Sequence, residues 1–446
     1  METHQPNPIQ SQAAAAPRQT LAEWLAWLEQ RNPNHIELGL DRVATLWQTL
    51  KQTHYWELPM IVTVAGTNGK GSSVALLEAI LMAEGYRVGA YTSPHLERFN
   101  ERIRMQRIDI DDELLIAAMV MLHGEPGAQH LTYFEWATVC ALIAFARAKL
   151  DVWVLEVGLG GRLDAVNILD ADLALITNIG LDHQALLGAN RSAIAQEKAG
   201  ILRKNQAAVY ADPNPEPVVE AIAHERHCPL WIRGKDFSLT RQSQDWCLNL
   251  ASSQSCWSNP NLKGLMQIDN AAGVVALLQH PKNKCPVSRQ AIEQGLQSAQ
   301  IVGRYECFTH QSRLIILDVA HNQESVEALL ENLQLNNELK GDSQRFAVFG
   351  ALNDKPIGTM LSAARPAFNG WFLGYLPSER SATVAFLLAH LPEHACLGLR
   401  HETKIVSAYN QALAYSKAGD QIVVFGSFFT VSAIRHHLKQ VGAHLV

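Results

Sequence analysis

The stretch Gly66-Thr67-Asn68-Gly69-Lys70-Gly71-Ser72 carries the strongest chemical signal in the chain. Glycines let backbone N–H groups turn inward around phosphate oxygens, and a helix starting behind them adds its dipole. Lys70 in such a loop neutralises the terminal phosphates, and Ser72 can reach Mg²⁺. The loop departs from the plain G-x-x-x-x-G-K-[ST] pattern. Its first glycine lies too close to Lys70, and Gly71 separates Lys70 from Ser72. Context distinguishes it from an ordinary turn. The apolar, β-branched run 61–65 before it reads as a buried strand, and Val74, Leu77, Ile80 and Leu81 after it keep a helical period.

Other residues gain meaning only beside that loop. Glu156 ends an apolar run, where a lone carboxylate is costly to bury. It needs a metal or a cationic partner, and Arg162 is the nearest candidate in sequence. Gly158-Leu159-Gly160-Gly161 is a weak dinucleotide fingerprint, because Leu163 stands where the last glycine belongs. His183 alone reads as a structural histidine, and Lys198 as a solvated helix charge. Thr132 and Glu135 have the spacing of a capping box.

These residues need a frame that gathers them. Strand-like runs occur at 61–65, 88–92, 152–157, 173–178 and 207–210, alternating with helical periods at 72–84 and 135–148. Residues 230–257 are less regular, with short strand-like pieces, and 270–278 reads as helix. The alternation restarts after 298–303 with runs at 314–319, 346–349, 371–373 and 422–425. The pattern implies two α/β domains, the larger first. Ligands of open α/β sheets bind beyond the carboxyl ends of the strands. Lys70, Ser93, Glu156, Asp182 with His183, and Asp318 with His321 all fall at such ends, which implies one cleft. Ahead of the first strand, Thr20 and Glu23 form a second capping box before the helical residues Leu21, Trp24, Leu25 and Leu28.

With 446 residues, the chain is long enough for two to three domains of ~150 residues. Net charge is −6, which excludes a general nucleic-acid binder. The seven cysteines are scattered, without C-x-x-C, so neither a disulfide framework nor a zinc site is expected, and a reducing compartment is. No apolar run approaches the ~20 residues of a membrane span, and residues 1–20 lack the features of a signal peptide.

The motifs together resemble the folylpolyglutamate synthases of the Mur ligase superfamily. The order is that of the family: Gly66 to Ser72, Thr92-Ser93-Pro94-His95-Leu96, Glu156 to Ala165, Leu181-Asp182-His183, Glu197-Lys198-Ala199-Gly200-Ile201, Asp318-Val319-Ala320-His321-Asn322 and Gly426-Ser427-Phe428. Leu131-Thr132-Tyr133-Phe134-Glu135 is similar to the bacterial bifunctional branch, with a monofunctional folylpolyglutamate synthase as the alternative. The resemblance implies a P-loop ATP-binding α/β domain with a mostly parallel sheet at 21–300. A smaller Rossmann-like α/β domain follows at 301–446, and a flexible tail precedes both at 1–20. It implies an ATP-dependent ligase joining L-glutamate to dihydropteroate and to reduced folates through an acyl phosphate. Thr67, Asn68, Gly69, Lys70, Gly71 and Ser72 would hold the triphosphate. Asn270, Arg304 and Asp318 would complete the ATP site, with His321 at the ribose. Ser93 and Glu156 would ligate one Mg²⁺ and His183 a second. Lys198 matches a lysine carbamylated by CO₂, and it joins Lys70, Glu156 and His183 in the catalytic set. Thr132, Tyr133, Phe134, Glu135, Leu163, Asp164 and Ala165 would line the pteroate pocket. The expected protein is a cytoplasmic monomer that binds neither nucleic acid nor membrane. Gln323 replaces the family's usual proline, which puts the adenosine contact of His321 in question. A P-loop ATPase doing mechanical work would need a partner-facing switch that the sequence lacks. A cell-wall Mur ligase is disfavoured by Lys70-Gly71-Ser72 and by the segment 132–135.

Overall fold

The computed structural model describes residues 18–30, 39–251, 253–336, 339 and 341–446. The flexible tail expected at 1–20 lies outside the described residues except for its last three positions.

The first sheet is built on strands β1 (Met60–Ala65), β2 (Val88–Tyr91), β3 (Ile103–Met105), β4 (Ile108–Asp109), β5 (Val152–Glu156), β6 (Leu173–Ile176), β7 (Ala207–Tyr210) and β8 (Leu230–Ile232). Their order is β4-β3-β2-β5-β1-β6-β7-β8. The six strands β2, β5, β1, β6, β7 and β8 are parallel, and β3 and β4 add an antiparallel edge. Alternate residues face opposite cores, as strand geometry requires. Ile61, Trp153 and Leu155 face a core built with helices α1 (Leu21–Glu29), α2 (Asp41–Thr53), α4 (Asp112–His123) and α5 (Tyr133–Ala148). Val62, Val64 and Val154 face the core of α3 (Lys70–Ala83), α9 (Leu265–Leu278) and α10 (Arg289–Ser298). Burial on both faces explains why the strands read as continuous apolar runs. Helices α6 (Gln184–Leu187), α7 (Arg191–Ala199) and α8 (Pro217–Glu225) pack into the first of these cores.

Thr20 and Glu23 form the expected capping box of α1, and Thr132 and Glu135 that of α5. Residues 237–258 resolve into a separate antiparallel sheet, β9 (Phe237–Arg241), β10 (Asp245–Leu250) and β11 (Ser253–Ser258). Here the cysteine expectation needs correcting. β10 and β11 pair in a register that sets Cys247 opposite Cys256, and the two form a disulfide. Scatter along the sequence hid this pairing, because a hairpin brings distant residues into register. It is one bridge rather than a framework, and Cys140, Cys228, Cys285, Cys307 and Cys396 lie buried outside it.

The second lobe is a six-stranded sheet of β12 (Glu306–His310), β13 (Arg313–Leu317), β14 (Arg345–Phe349), β15 (Gly370–Leu373), β16 (Gln421–Phe425) and β17 (His444–Leu445). Its order is β15-β14-β16-β13-β12-β17, with β15, β14, β16 and β13 parallel and β12 antiparallel to both its neighbours, β13 and β17. Helix α11 (Gln323–Leu335) follows β13. No helix among the described residues is long and apolar enough to cross a membrane.

Candidate active site

β5 lies between β1 and β2 in the sheet, so the loops after these three strands sit side by side. Val64 pairs with Glu156, the last residue of β5. That places Glu156 beside the glycine loop that leaves β1 and beside Ser93, which follows β2. A small cleft of about 110 Å³ joins Gly66 to Gly71, Ser93, Glu156, His183, Lys198, Arg304 and His321. A larger cleft of about 540 Å³ opens next to it, lined by Asn68, Asn178, Asn270 and residues of α11.

The loop is fixed by its neighbours. The N–H of Thr67 donates to the Asn178 carbonyl (2.8 Å), and the N–H of Asn68 donates to Asn178 Oδ1 (2.8 Å). Gly69 adopts φ 82°, and a Cβ there would lie 2.2 Å from Asn270 Oδ1. Only glycine permits both that backbone and that approach. Asn270, on α9, is held by Gln267 (3.0 Å).

Two lysines converge on one carbonyl. Lys70 Nζ donates to Gly66 O and to Thr67 O, each at 3.1 Å. Lys198 Nζ, from the end of α7, donates to the same Gly66 O at 2.7 Å. Lys198 is buried and Lys70 half-buried, and burial lowers both pKa values. Lys198 falls to about 7, with the Lys70 charge pushing it the same way. Two amines that burial disfavours as cations, meeting at one acceptor, call for negative charge nearby.

Glu156 is 5% exposed, and burial raises its pKa, with Lys70 opposing. Its Oε2 accepts the Ser93 N–H at 3.1 Å. Arg162 is not its partner, since that side chain pairs with Glu197 (2.9 Å). His183 has φ 51°, and burial lowers its pKa to about 4, so the ring is neutral at pH 7. A buried carboxylate, a serine and a neutral imidazole facing one cleft form a donor set that fits divalent ions of the Mg²⁺/Mn²⁺ type. Ser72, by contrast, is buried in α3 and does not line the small cleft.

The second lobe completes the wall. Asp318, at the end of β13, accepts the N–H groups of Tyr305 and Ala320 (both 2.9 Å), and Arg304 lies near enough to lower its burial-raised pKa. His321 Nδ1 is 2.8 Å from the Val319 carbonyl, and its ring packs 5.8 Å from Phe428. Gln323 does not disturb it. Asn322 still caps α11, and the Gln323 side chain turns away to Glu327 (2.9 Å). Sequence reasoning missed Lys355, whose Nζ reaches Asp182 at 2.9 Å across the lobes. Burial opposes ionisation of Asp182, but His321 and Lys355 hold its pKa well below the carboxylate range. No local motif marks Lys355, because its partner is distant in sequence.

The proposed pteroate residues do not themselves line the small cleft; Phe134 and Asp164 meet it through Gly158 and Leu159, which do. Phe134 packs against Gly158 so closely that a Cβ there would lie 2.5 Å from the ring. Tyr133 stands edge-on to Phe99 (6.1 Å). Asp164 Oδ2 accepts the Leu159 N–H (2.8 Å) and Oδ1 the Val166 N–H (3.0 Å), while burial raises its pKa to about 6. Leu163 and Ala165 flank it on the same turn. Glu135 is committed elsewhere: its Oε2 accepts the Thr132 N–H (2.8 Å) and Arg42 Nε (2.9 Å). That oxygen therefore serves the helix cap and Arg42.

A phosphate loop at one sheet's carboxyl edge, closed by a second α/β lobe, defines a Mur-type ligase. Residues 64–278 match the Mur ligase middle domain and residues 303–428 the Mur ligase glutamate ligase domain. The dihydrofolate synthase/folylpolyglutamate synthase of Escherichia coli K12 is 38% identical over 94% of this chain and 95% of its own. The structure of E. coli FolC in complex with DHPP and ADP superposes with a TM-score of 0.85 at 35% identity, covering 96% of this chain and 100% of that one. A bifunctional folylpolyglutamate synthase/dihydrofolate synthase with Mn, AMPPNP and L-glutamate bound gives 0.84 at 36% identity, over 94% and 98%. The chain belongs to the dihydrofolate synthase/folylpolyglutamate synthase family.

Proposed function

We propose that this protein is an ATP-dependent amide ligase that joins L-glutamate to dihydropteroate, forming dihydrofolate, and to reduced folates, forming folylpolyglutamates. The observation that carries the reading is the pair Lys70 and Lys198 on the Gly66 carbonyl, inside a cleft that both lobes close.

The loop Thr67 to Ser72 holds the triphosphate, and Lys70 leaves the Gly66 and Thr67 carbonyls to meet the transferred phosphoryl group. Asn270 and the larger cleft take the nucleoside, with Arg304, Asp318 and His321 closing from the second lobe. The substrate carboxylate attacks the γ-phosphorus, ADP leaves, and an acyl phosphate forms. The glutamate amine then adds to the acyl carbon, and collapse of the tetrahedral adduct expels phosphate. Acyl phosphates hydrolyse, so closure of the lobes protects the intermediate. Ser93 and Glu156 would hold one Mg²⁺ and His183 a second, and bound metal would supply charge stabilisation to the phosphoryl transfer. Lys198, its pKa lowered by burial to about 7, reacts as the neutral amine with CO₂ and loses a proton to give a carbamate. Residues 21–300 form the ATP- and pteroate-binding unit and 301–446 the glutamate-ligase unit. The protein works as a cytoplasmic monomer on small molecules.

Thr132, Tyr133, Phe134, Glu135, Leu163, Asp164 and Ala165 line the pteroate pocket, and Phe134 offers its ring face to the pterin. Phe134→Ala is expected to weaken dihydropteroate use by roughly 1–3 kcal/mol, the scale of a lost stack on a flat heterocycle. The KM for ATP should stay put, because Lys70 and Asp318 are untouched. Steady-state kinetics with each substrate varied in turn check this. A Phe134→Ala enzyme whose dihydropteroate kcat/KM matches wild type would remove the ring from the pocket.

A further inference from the structure

The side chain of Asn68 belongs to the phosphate loop, yet both ends of its amide are held by the other lobe. Asn322 Nδ2 donates to Asn68 Oδ1 at 3.0 Å, and Asn68 Nδ2 donates to Glu324 at 3.0 Å. Asn322 is the cap of α11 and Glu324 its second residue. A carboxylate can only accept, so Glu324 fixes which end of the Asn68 amide faces which partner. The same Glu324 oxygen accepts from Asn178 Nδ2 at 3.2 Å. Asn178 in turn uses its Oδ1 to hold the backbone N–H of Asn68 at 2.8 Å. Glu324 thus sets the loop twice: through the Asn68 side chain, and through the asparagine that grips the Asn68 backbone. Burial alone disfavours a carboxylate here and raises the Glu324 pKa, with the Asn68 hydrogen bond opposing. Asn68 and Asn322 are 6% and 2% exposed, so water does not readily replace these bonds.

We propose that Glu324 is a positioning residue for the nucleotide: from the second lobe, and with Asn322, it holds Asn68 so that the phosphate loop reaches its ATP-binding shape only when the lobes are together. This rests on the reading that the loop takes ATP. It makes lobe closure and nucleotide affinity two sides of one equilibrium, since what favours the closed arrangement also sets the loop. The acceptor oxygen matters in this account, and the negative charge does not.

The test uses the full chain and three variants. Glu324→Ala removes the acceptor, and Glu324→Asp keeps the charge but withdraws it by one methylene. Glu324→Gln keeps an acceptor oxygen at the same reach. ATP is varied at saturating dihydropteroate and glutamate, and the Kd for AMPPNP is measured without the other substrates. Loss of one partner from a buried hydrogen-bond network is expected to raise both constants roughly tenfold in Glu324→Ala and Glu324→Asp. The KM for dihydropteroate should stay within about twofold, and Glu324→Gln should recover most of the loss, because only one buried partner differs. A purely structural role would lower the melting temperature without separating the KM values or distinguishing Gln from Ala. Wild-type nucleotide constants in Glu324→Ala or Glu324→Asp, or a Glu324→Gln protein as impaired as Glu324→Ala, would overturn the proposal. Wild-type protein that fails to release ADP with dihydropteroate and glutamate would instead overturn the functional reading on which it rests.

Discussion

Lys70→Ala is expected to abolish ligation, with turnover down at least ~100-fold, while the protein stays folded. The loss corresponds to about 2.7 kcal/mol of transition-state stabilisation or more, the scale of one preorganised charge-stabilising group. Lys70 is half-buried, and the bonds it makes within the loop go to the Gly66 and Thr67 carbonyls. Removing it takes away a cation that burial disfavours, and the Gly66 carbonyl keeps the Lys198 donor. The melting temperature should therefore hold or rise. Circular dichroism with thermal melting, beside an ADP-release assay, separates fold from chemistry. A folded Lys70→Ala protein with near wild-type turnover would remove the loop from the phosphate site.

Lys198→Ala should lose most of the activity for a different reason. The amine is 4% exposed, packed against the loop, with its pKa lowered by burial to about 7. Carbamylation consumes the neutral amine. As pH rises through about 7 the proton leaves, so re-carbamylation of CO₂-depleted enzyme should speed up and then level off. One unit lower, the neutral fraction falls to about a tenth, and recovery slows in proportion. A small carboxylate added to Lys198→Ala should restore part of the activity by standing where the carbamate stood. Mass spectrometry under native, bicarbonate-containing conditions should find the added CO₂ on wild type and not on Lys198→Ala. Full activity in Lys198→Ala, or wild-type activity indifferent to CO₂ depletion, would leave Lys198 as a purely structural donor to Gly66.

Local patterns in the sequence were legible because they are written in neighbouring residues. The glycine loop, the buried parallel strands and the capping boxes at Thr20 and Thr132 each depend on spacing within a few positions. Strand order was not. Nothing local says that β5 enters between β1 and β2, although that insertion is what sets Glu156 beside the loop. The antiparallel edge strands β3 and β4 are three and two residues long, too short for alternation to show. The Cys247–Cys256 bridge needed the hairpin register. Contacts across the cleft were the least visible: Glu324 meets Asn68 from 256 positions away, and Lys355 meets Asp182 from 173. Glu135 shows the opposite limit. Its sequence spacing allowed a cap or a pterin contact, and only Arg42, brought in by α2, decides how the carboxylate is used.

The most direct test of the account is a pair of ADP-release assays on the wild-type protein with Mg²⁺, bicarbonate and L-glutamate, one with dihydropteroate and one with a tetrahydrofolate. The account predicts turnover in both, with dihydrofolate and a glutamate-extended folate as the respective products. Turnover with the folate alone would make this a monofunctional folylpolyglutamate synthase. Turnover with neither, in a protein that still binds ATP, would contradict folate ligation altogether.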